Sequence, residues 1–151
     1  LPFMVMEPGR SIVAPAGLTL YTIGAVKEIP GVRTYVSVDG GMGDNPRYIM
    51  YESEYEAVAV GNPNGDKEMT ATIAGKCCES GDVLVKDAKL PKVKNGDLLA
   101  VLATGAYNYS MAMNYNRNLI PPRPPIVMIK DGEMKLAVKR ESYDDLIVND
   151  L

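Results

Sequence analysis

The residues of this chain best suited to chemistry are two arginines with glycine or aromatic neighbours and a thiol beside a carboxylate. Arg10 follows Glu7-Pro8-Gly9, where an apolar run breaks. Free backbone N–H groups at a helix start there can hold a phosphate, and the guanidinium offers a carboxylate two parallel hydrogen bonds. Taken alone, the same four residues also read as an ordinary surface turn. Arg47 and Tyr51 are four residues apart, so on a helical turn they share a face and can clamp one carboxylate. Cys78 and Glu79 open Cys78-Glu79-Ser80-Gly81-Asp82 between two predicted strands, which sets a thiol and a carboxylate at a sheet end. A buried cysteine is otherwise a small apolar filler, the part expected of Cys77. Gly105-Ala106-Tyr107 leads into Tyr109, Ser110, Asn114, Tyr115 and Asn116, a mixture that as bare composition also suits stacking on a sugar or base.

Histidine is absent, which excludes serine–histidine catalysis and the usual zinc sites with histidine ligands. Any acid, base or nucleophile must be a carboxylate, thiol, lysine or tyrosine. The 16 basic and 19 acidic residues leave a net charge of -3, so no overall positive field draws the chain to nucleic acid or anionic lipid. No stretch approaches the roughly 18 consecutive apolar residues of a membrane helix, and the N-terminus lacks the basic-then-apolar order of a secretory signal. A cytoplasmic protein with no membrane partner is expected. Cys77 and Cys78 are adjacent, a spacing ill suited to an ordinary disulfide, so both are expected as free thiols.

These residues need a scaffold, and 151 residues with 46% hydrophobic content suffice for one domain with a real core. The apolar run from Leu1 to Met6 predicts a buried strand, entered from missing upstream sequence, and Arg10 to Ala14 one or two helical turns stopped by Pro15 and Gly17. Thr19–Val26, Val32–Val38, Tyr55–Val60, Met69–Ala74, Asp82–Val85 and Leu98–Leu102 read as short strands with Gly, Pro and Asn between them. Gly40 to Arg47 reads as an irregular loop with close backbone approaches. Asp131-Gly132 predicts a type I′ hairpin turn between Ile126–Ile129 and Met134–Val138. Ser142 with Asp145 predicts a capped C-terminal helix, and Pro121-Pro122-Arg123-Pro124-Pro125 a stiff connector. The fold class expected is mainly β, an antiparallel barrel or sandwich with short helices, one of them at the C-terminus.

Four segments, Glu7-Pro8-Gly9-Arg10, Gly40-Gly41-Met42-Gly43-Asp44-Asn45-Pro46-Arg47, Cys78-Glu79-Ser80-Gly81-Asp82 and Gly105-Ala106-Tyr107, occur in an order that resembles the C-terminal β domain of the diaminopimelate decarboxylases. These are pyridoxal 5′-phosphate enzymes of decarboxylase group IV and fold type III. The resemblance runs from Glu7 to about Leu146 and implies that residues 1–9 are the tail of a missing (β/α)8 barrel domain, with 10–151 the β domain. It further implies that Glu7, Gly9, Arg10 and Tyr107 contact the cofactor, and that Arg10, Arg47, Tyr51, Glu79 and Tyr107 contact the substrate. Cys78 would be the proton donor, reaching across a homodimer interface into the partner's active site. Tyr48 stands where the family commonly has proline, and Arg117 to Pro125 is longer than the usual connector, an insertion expected in a loop. The Schiff-base lysine and the histidine that stacks on the cofactor ring belong to the barrel, and no candidate for either is present.

The implied activity of the complete protein is conversion of meso-2,6-diaminopimelate to L-lysine and carbon dioxide, the last step of bacterial lysine biosynthesis, with the isolated domain inactive. The resemblance also places a strand of this domain at the far N-terminus of the complete protein, so an exposed apolar patch and an unpaired strand edge are expected here. Two alternatives stay open: the same domain of an ornithine- or arginine-type decarboxylase, and a non-catalytic β module that binds a ligand.

Overall fold

In the computed structural model, which describes residues 2–114 and 122–151, the β-branched and aromatic run after Gly17 forms one long strand, β1 (Leu18–Ile29). Its first half pairs antiparallel with β6 (Leu98–Leu102), Leu18 opposite Leu102. Its second half pairs antiparallel with β2 (Arg33–Val38), Ile29 opposite Arg33. Within the β1–β2 ladder the register slips at Gly24, where an added Cβ would come within 3.3 Å of the Ser37 hydroxyl. Such a bulge bends a strand and lets it serve two neighbours.

β2 continues the sheet through a parallel ladder to β4 (Met69–Ala74), which pairs antiparallel with β5 (Val83–Leu90). On the other side β6 pairs with β3 (Ala57–Ala59), giving the six-stranded order β3-β6-β1-β2-β4-β5. The outermost strands β3 and β5 pack against each other, so the sheet curls into the barrel-like form expected. Ile23, Val36, Ile73, Leu84, Leu90 and Leu99 are fully buried inside it. Each such side chain contributes about 1.5–3 kcal/mol over an exposed one. The parallel β2–β4 ladder departs from the antiparallel expectation and has a consequence for the site. Parallel neighbours require a long crossover, and here residues 39–68 supply it, carrying the glycine loop, α2 (Arg47–Tyr51) and β3.

β1, β3 and β5 differ most in length from the sequence reading, β1 running from Leu18 to Ile29 where Thr19–Val26 was expected. β5 runs past Val85 to Leu90 because Ala88 and Leu90 stay buried while Lys86, Asp87 and Lys89 are exposed, with Asp87 at a positive φ of 55°. β3 is confined to Ala57–Ala59, shorter than Tyr55–Val60.

The expected strand at Leu1–Met6 is a clear correction. Residues 2–9 have no regular secondary structure, and Phe3 is 94% exposed. No ladder within the described residues takes up this apolar run. At the other end the sequence reading holds. β7 (Ile126–Lys130) and β8 (Glu133–Val138) form the hairpin, with Asp131 and Gly132 at φ of 53° and 80°. It stands as its own two-stranded sheet and exposes Met128, Ile129, Met134 and Leu136. Ser142 caps α3 (Tyr143–Ile147): its hydroxyl accepts from the Asp145 N–H at 3.2 Å while the Asp145 carboxylate accepts from the Ser142 N–H at 2.7 Å. Pro122–Pro125 takes no regular form, and the expected loop insertion between Arg117 and Pro121 lies outside the described residues. Glu141 ties this connector down, accepting from the Arg123 backbone N–H at 2.9 Å, from Arg123 Nε at 2.7 Å and from Asn114 Nδ2 at 3.2 Å.

Candidate functional site

Arg10 begins α1 (Arg10–Val13), a single turn continued by a 3-10 turn at Ala14–Ala16. One turn of helix sums few peptide dipoles, so any anion held here relies on the guanidinium more than on the helix start. The turn is fixed against the segment after β6 by backbone contact. An added Cβ on Gly17 would lie 2.5 Å from Gly105 Cα, and one on Gly105 would lie 2.2 Å from the Val13 carbonyl oxygen. Gly105 N–H donates to the Ala14 carbonyl at 3.1 Å and Thr104 N–H to the Gly17 carbonyl at 3.0 Å. Only paired glycines permit this approach, and it sets Arg10 beside the Gly105–Tyr107 segment. Arg10 Nη2 donates to the Ala103 carbonyl at 3.3 Å, and the guanidinium stacks 5.2 Å from the centre of the Tyr55 ring.

Arg47 and Tyr51 fall on one face of α2, as their spacing predicted, and the Arg47 guanidinium lies 4.7 Å from the Tyr51 ring centre. It also lies 5.4 Å from the ring of Tyr107, so two aromatic faces flank one cation. Tyr107 itself sits at a φ of 62°, a left-handed conformation uncommon for a bulky residue. Its hydroxyl would be 2.5 Å from a Cβ on Gly9, so the residue before Arg10 must lack a side chain for the tyrosine to reach this position. Gly9, Arg10, Arg47, Tyr51 and Tyr107 thus form one cluster. Within it, the Nε atoms of both Arg10 and Arg47 are buried and have no hydrogen-bond partner. A buried donor left unmet costs about 1–3 kcal/mol, and an oxyanion accepting from either guanidinium would relieve it. The donor set therefore fits a group carrying phosphate or carboxylate.

The Cys78–Asp82 turn is joined to this cluster through α2, because an added Cβ on Gly81 would lie 2.9 Å from Ile49 Cδ1. The Cys78 thiol is exposed and donates to Glu79 Oε1 at 3.5 Å. Burial, followed by the charge of Asp82, pushes the neighbouring, half-buried Cys77 thiol up to about 12. Both cysteines are free, as expected. Tyr21 donates to Asp44 in the glycine loop, and Asp44 Oδ1 accepts from the Gly41 N–H at 2.8 Å. Burial raises the Asp44 carboxyl from 3.8 to about 6 and lifts the Tyr21 phenol well above its ordinary value.

Sequence reasoning gave no role to Asp82, Tyr55 or Asn108, which the structure puts around the site. Asn108 is buried, 3.4 Å from the Tyr55 hydroxyl, and its amide nitrogen is placed to donate to the Ala106 carbonyl at 3.0 Å. The signal available was position alone, since Asp82 closes a segment already singled out and Asn108 follows Tyr107. Glu7 is exposed, two residues before Gly9. Tyr115 and Asn116 lie outside the described residues. Among the described residues no three Cys, Asp or Glu side chains gather as a metal site.

The family model described as pyridoxal-dependent decarboxylase, C-terminal sheet domain, matches residues 3–105. The diaminopimelate decarboxylase of Bacillus subtilis is 56% identical over 151 residues, which is 100% of this chain and 34% of the relative. Among solved structures, diaminopimelate decarboxylase from M. jannaschii in complex with L-lysine has a TM-score of 0.86 at 40% identity, covering 100% of this chain and 33% of the other. Lysine/ornithine decarboxylase from Vibrio vulnificus complexed with cadaverine has a TM-score of 0.61 at 29% identity, covering 73% of this chain and 29% of the other. The chain spans about a third of the length of the curated relatives it matches.

Proposed function

This chain belongs to the pyridoxal-dependent decarboxylase family through its C-terminal sheet domain, and on that premise we propose that it is the substrate- and cofactor-contacting part of a diaminopimelate decarboxylase. The complete protein would convert meso-2,6-diaminopimelate to L-lysine and carbon dioxide, with residues 1–9 ending its barrel domain and 10–151 forming this one. The observation that carries the reading is the pair of buried arginine Nε donors with open hydrogen-bonding capacity among three tyrosines.

Pyridoxal 5′-phosphate, when bound, supplies the electron sink for loss of carbon dioxide. The residues of this chain divide the remaining work. Arg47 and Tyr51 hold the carboxylate that survives, with Arg10 completing the clamp by a charge-assisted hydrogen bond. Glu79 accepts from the distal ammonium and so fixes which end of the substrate reacts. Tyr107 places its hydroxyl, and Glu7 and Gly9 their backbone, on the cofactor side. Cys78, exposed on its turn, returns a proton to the reacting carbon of the active site it faces, which we assign to the partner subunit of a homodimer. We infer a cytoplasmic protein; no helix among the described residues is long and apolar enough to cross a membrane. A substrate of the ornithine or arginine type has no distal carboxylate for Arg47 and Tyr51 to hold. A non-catalytic module that binds a ligand would use the same two donors but release no lysine as part of the full-length protein.

The test is made on the full-length parent protein. Supplied with pyridoxal 5′-phosphate and meso-diaminopimelate it should release lysine steadily. Arg47→Met should raise KM about 100-fold, the loss of a charged hydrogen-bonded pair. Turnover of ornithine as efficient as that of diaminopimelate would overturn the substrate assignment. The isolated chain should form no lysine, and steady lysine production by it alone would refute the division of labour.

A further inference from the structure

Two buried amides join the segments that carry Arg47 and Tyr107. Asn45 is 1% exposed and Asn108 is 5% exposed. The Asn108 nitrogen is placed to donate to the Ala106 carbonyl at 3.0 Å and to the Thr104 carbonyl at 3.3 Å, while its oxygen accepts from Asn45 Nδ2 at 3.2 Å. Asn45 Oδ1 in turn accepts from the N–H of Arg47, the first residue of α2, at 3.4 Å. The bonds to Thr104 and Ala106 fold the chain back where Tyr107 takes its positive φ of 62°. A bulky residue keeps such a conformation only where its surroundings hold it, and Asn108 spans the turn with two hydrogen bonds. The Tyr55 ring, which stacks on Arg10, carries its hydroxyl 3.4 Å from the same amide. A separate backbone bond, from the Met113 N–H to the Gly43 carbonyl at 2.8 Å, joins the glycine loop to the chain after Tyr107 as well.

Every group linked in this way belongs to one cluster of one chain. The Arg47 guanidinium lies 5.4 Å from the Tyr107 ring, and both Arg47 and Arg10 hold a buried Nε donor with no partner. We infer that Asn108 is a positioning residue for carboxylate recognition: by bonding back to Ala106 and across to Asn45, it fixes Tyr107 and the start of α2 in one relative placement. Arg47 then meets the spared carboxylate of the substrate with its open N–H already aimed. This rests on the decarboxylase reading of the site and deepens it, adding a residue that acts through Arg47 and Tyr107. An N–H···O bond weakens steeply once its angle falls below about 120°. A small turn of α2 against Tyr107 therefore costs carboxylate affinity before it disturbs the sheet. The Met113–Gly43 bond keeps the two segments together when the amide pair is removed.

The experiment compares two ligands in the full-length parent loaded with pyridoxal 5′-phosphate. L-Lysine carries the spared carboxylate, and cadaverine is the same diamine without it. Calorimetric titration reads affinity and the number of sites separately. In Asn108→Ala the affinity for L-lysine should fall about 10-fold, the loss of one well-aligned charged hydrogen bond, while that for cadaverine stays within about twofold. Equal weakening of both ligands, or an unchanged affinity for lysine in whatever sites remain, overturns the inference, since a merely structural role gives one or the other. If Asn108→Ala yields no folded protein, Asn45→Asp is read in the same way. It keeps the side-chain size and the acceptor for the Arg47 N–H, and replaces only the donor to Asn108 by an oxygen. A wild-type parent that binds lysine no more tightly than cadaverine would instead overturn the carboxylate clamp of the decarboxylase reading, a failure visible before any variant is made.

Discussion

The six-stranded sheet and the β7–β8 hairpin are built from strands of similar apolar character, but the first buries its side chains and the second displays them. Leu99 in β6 is 0% exposed and Leu136 in β8 is 59% exposed. Strand propensity and turn chemistry therefore set where a strand forms, while burial depends on whether a second surface covers it. A hairpin alone has two faces and two free edges and is marginal in water. In this one the Arg123–Glu141 pair closes the base of the hairpin, and the Asn114 amide, donating to Glu141, joins it to the rest of the described chain by a polar contact in place of a shared core. The two regions should respond to different perturbations.

The largest difference should come from truncating a leucine in each. Leu99→Ala should destabilise the chain by about 3 kcal/mol, a transfer loss plus a cavity, whereas Leu136→Ala should stay within about 0.5 kcal/mol. Urea unfolding followed by circular dichroism measures both. Equal losses would mean that the hairpin contributes a core of its own, and the contrast would fail. A smaller effect tests the packing at the end of the sheet that carries the site. Gly75→Ala drives a Cβ to within 2.2 Å of the buried Asp82 carboxylate and should cost about 1–3 kcal/mol. Gly61→Ala meets nothing within 4 Å and should leave the unfolding midpoint where it is. A Gly75→Ala chain as stable as wild type would show that the Asp82 pocket gives way easily.

The same contrast explains what the sequence made legible. Leu98–Leu102 was predicted residue for residue, and the Asp131-Gly132 turn and the Ser142–Asp145 cap both form, because each rests on alternation or on side-chain chemistry within a few residues. The parallel β2–β4 ladder was not legible, since no local pattern names the strand on the other side. Leu1 to Met6 was read as buried from composition, but burial needs a covering surface, and for Phe3 to Met6 the described residues supply none. At the site, the spacing of Arg47 and Tyr51 correctly put them on one face, and Tyr107 joined them from a segment whose sequence gave only its type. Asp82 stayed without a role because its carboxylate accepts from the N–H of Met42, which lies 40 residues away. A carboxylate's partners are backbone N–H groups that every residue but proline carries, so their identity is a property of the fold alone.

The smallest effect separates the regions by sign. Asp44, in the loop after β2, has its carboxyl raised by burial from 3.8 to about 6. Between these values the folded chain binds a proton that the unfolded chain has released, so stability should fall as pH rises through that window. Glu141, beside the hairpin, has its carboxyl lowered from 4.5 to about 2, first by the hydrogen bond from Arg123. Its contribution is fully present above about pH 4.5 and is lost as pH falls through about 2. Both groups are partly open to solvent, which reduces each effect to the order of 1 kcal/mol. Asp44→Asn should flatten the decline in Tm between about pH 4 and 6 and leave the acid limb intact, and Glu141→Gln should do the reverse. Glu141→Gln acting in the upper window would show that the clamp is coupled to the glycine loop, making the hairpin and the sheet a single cooperative unit.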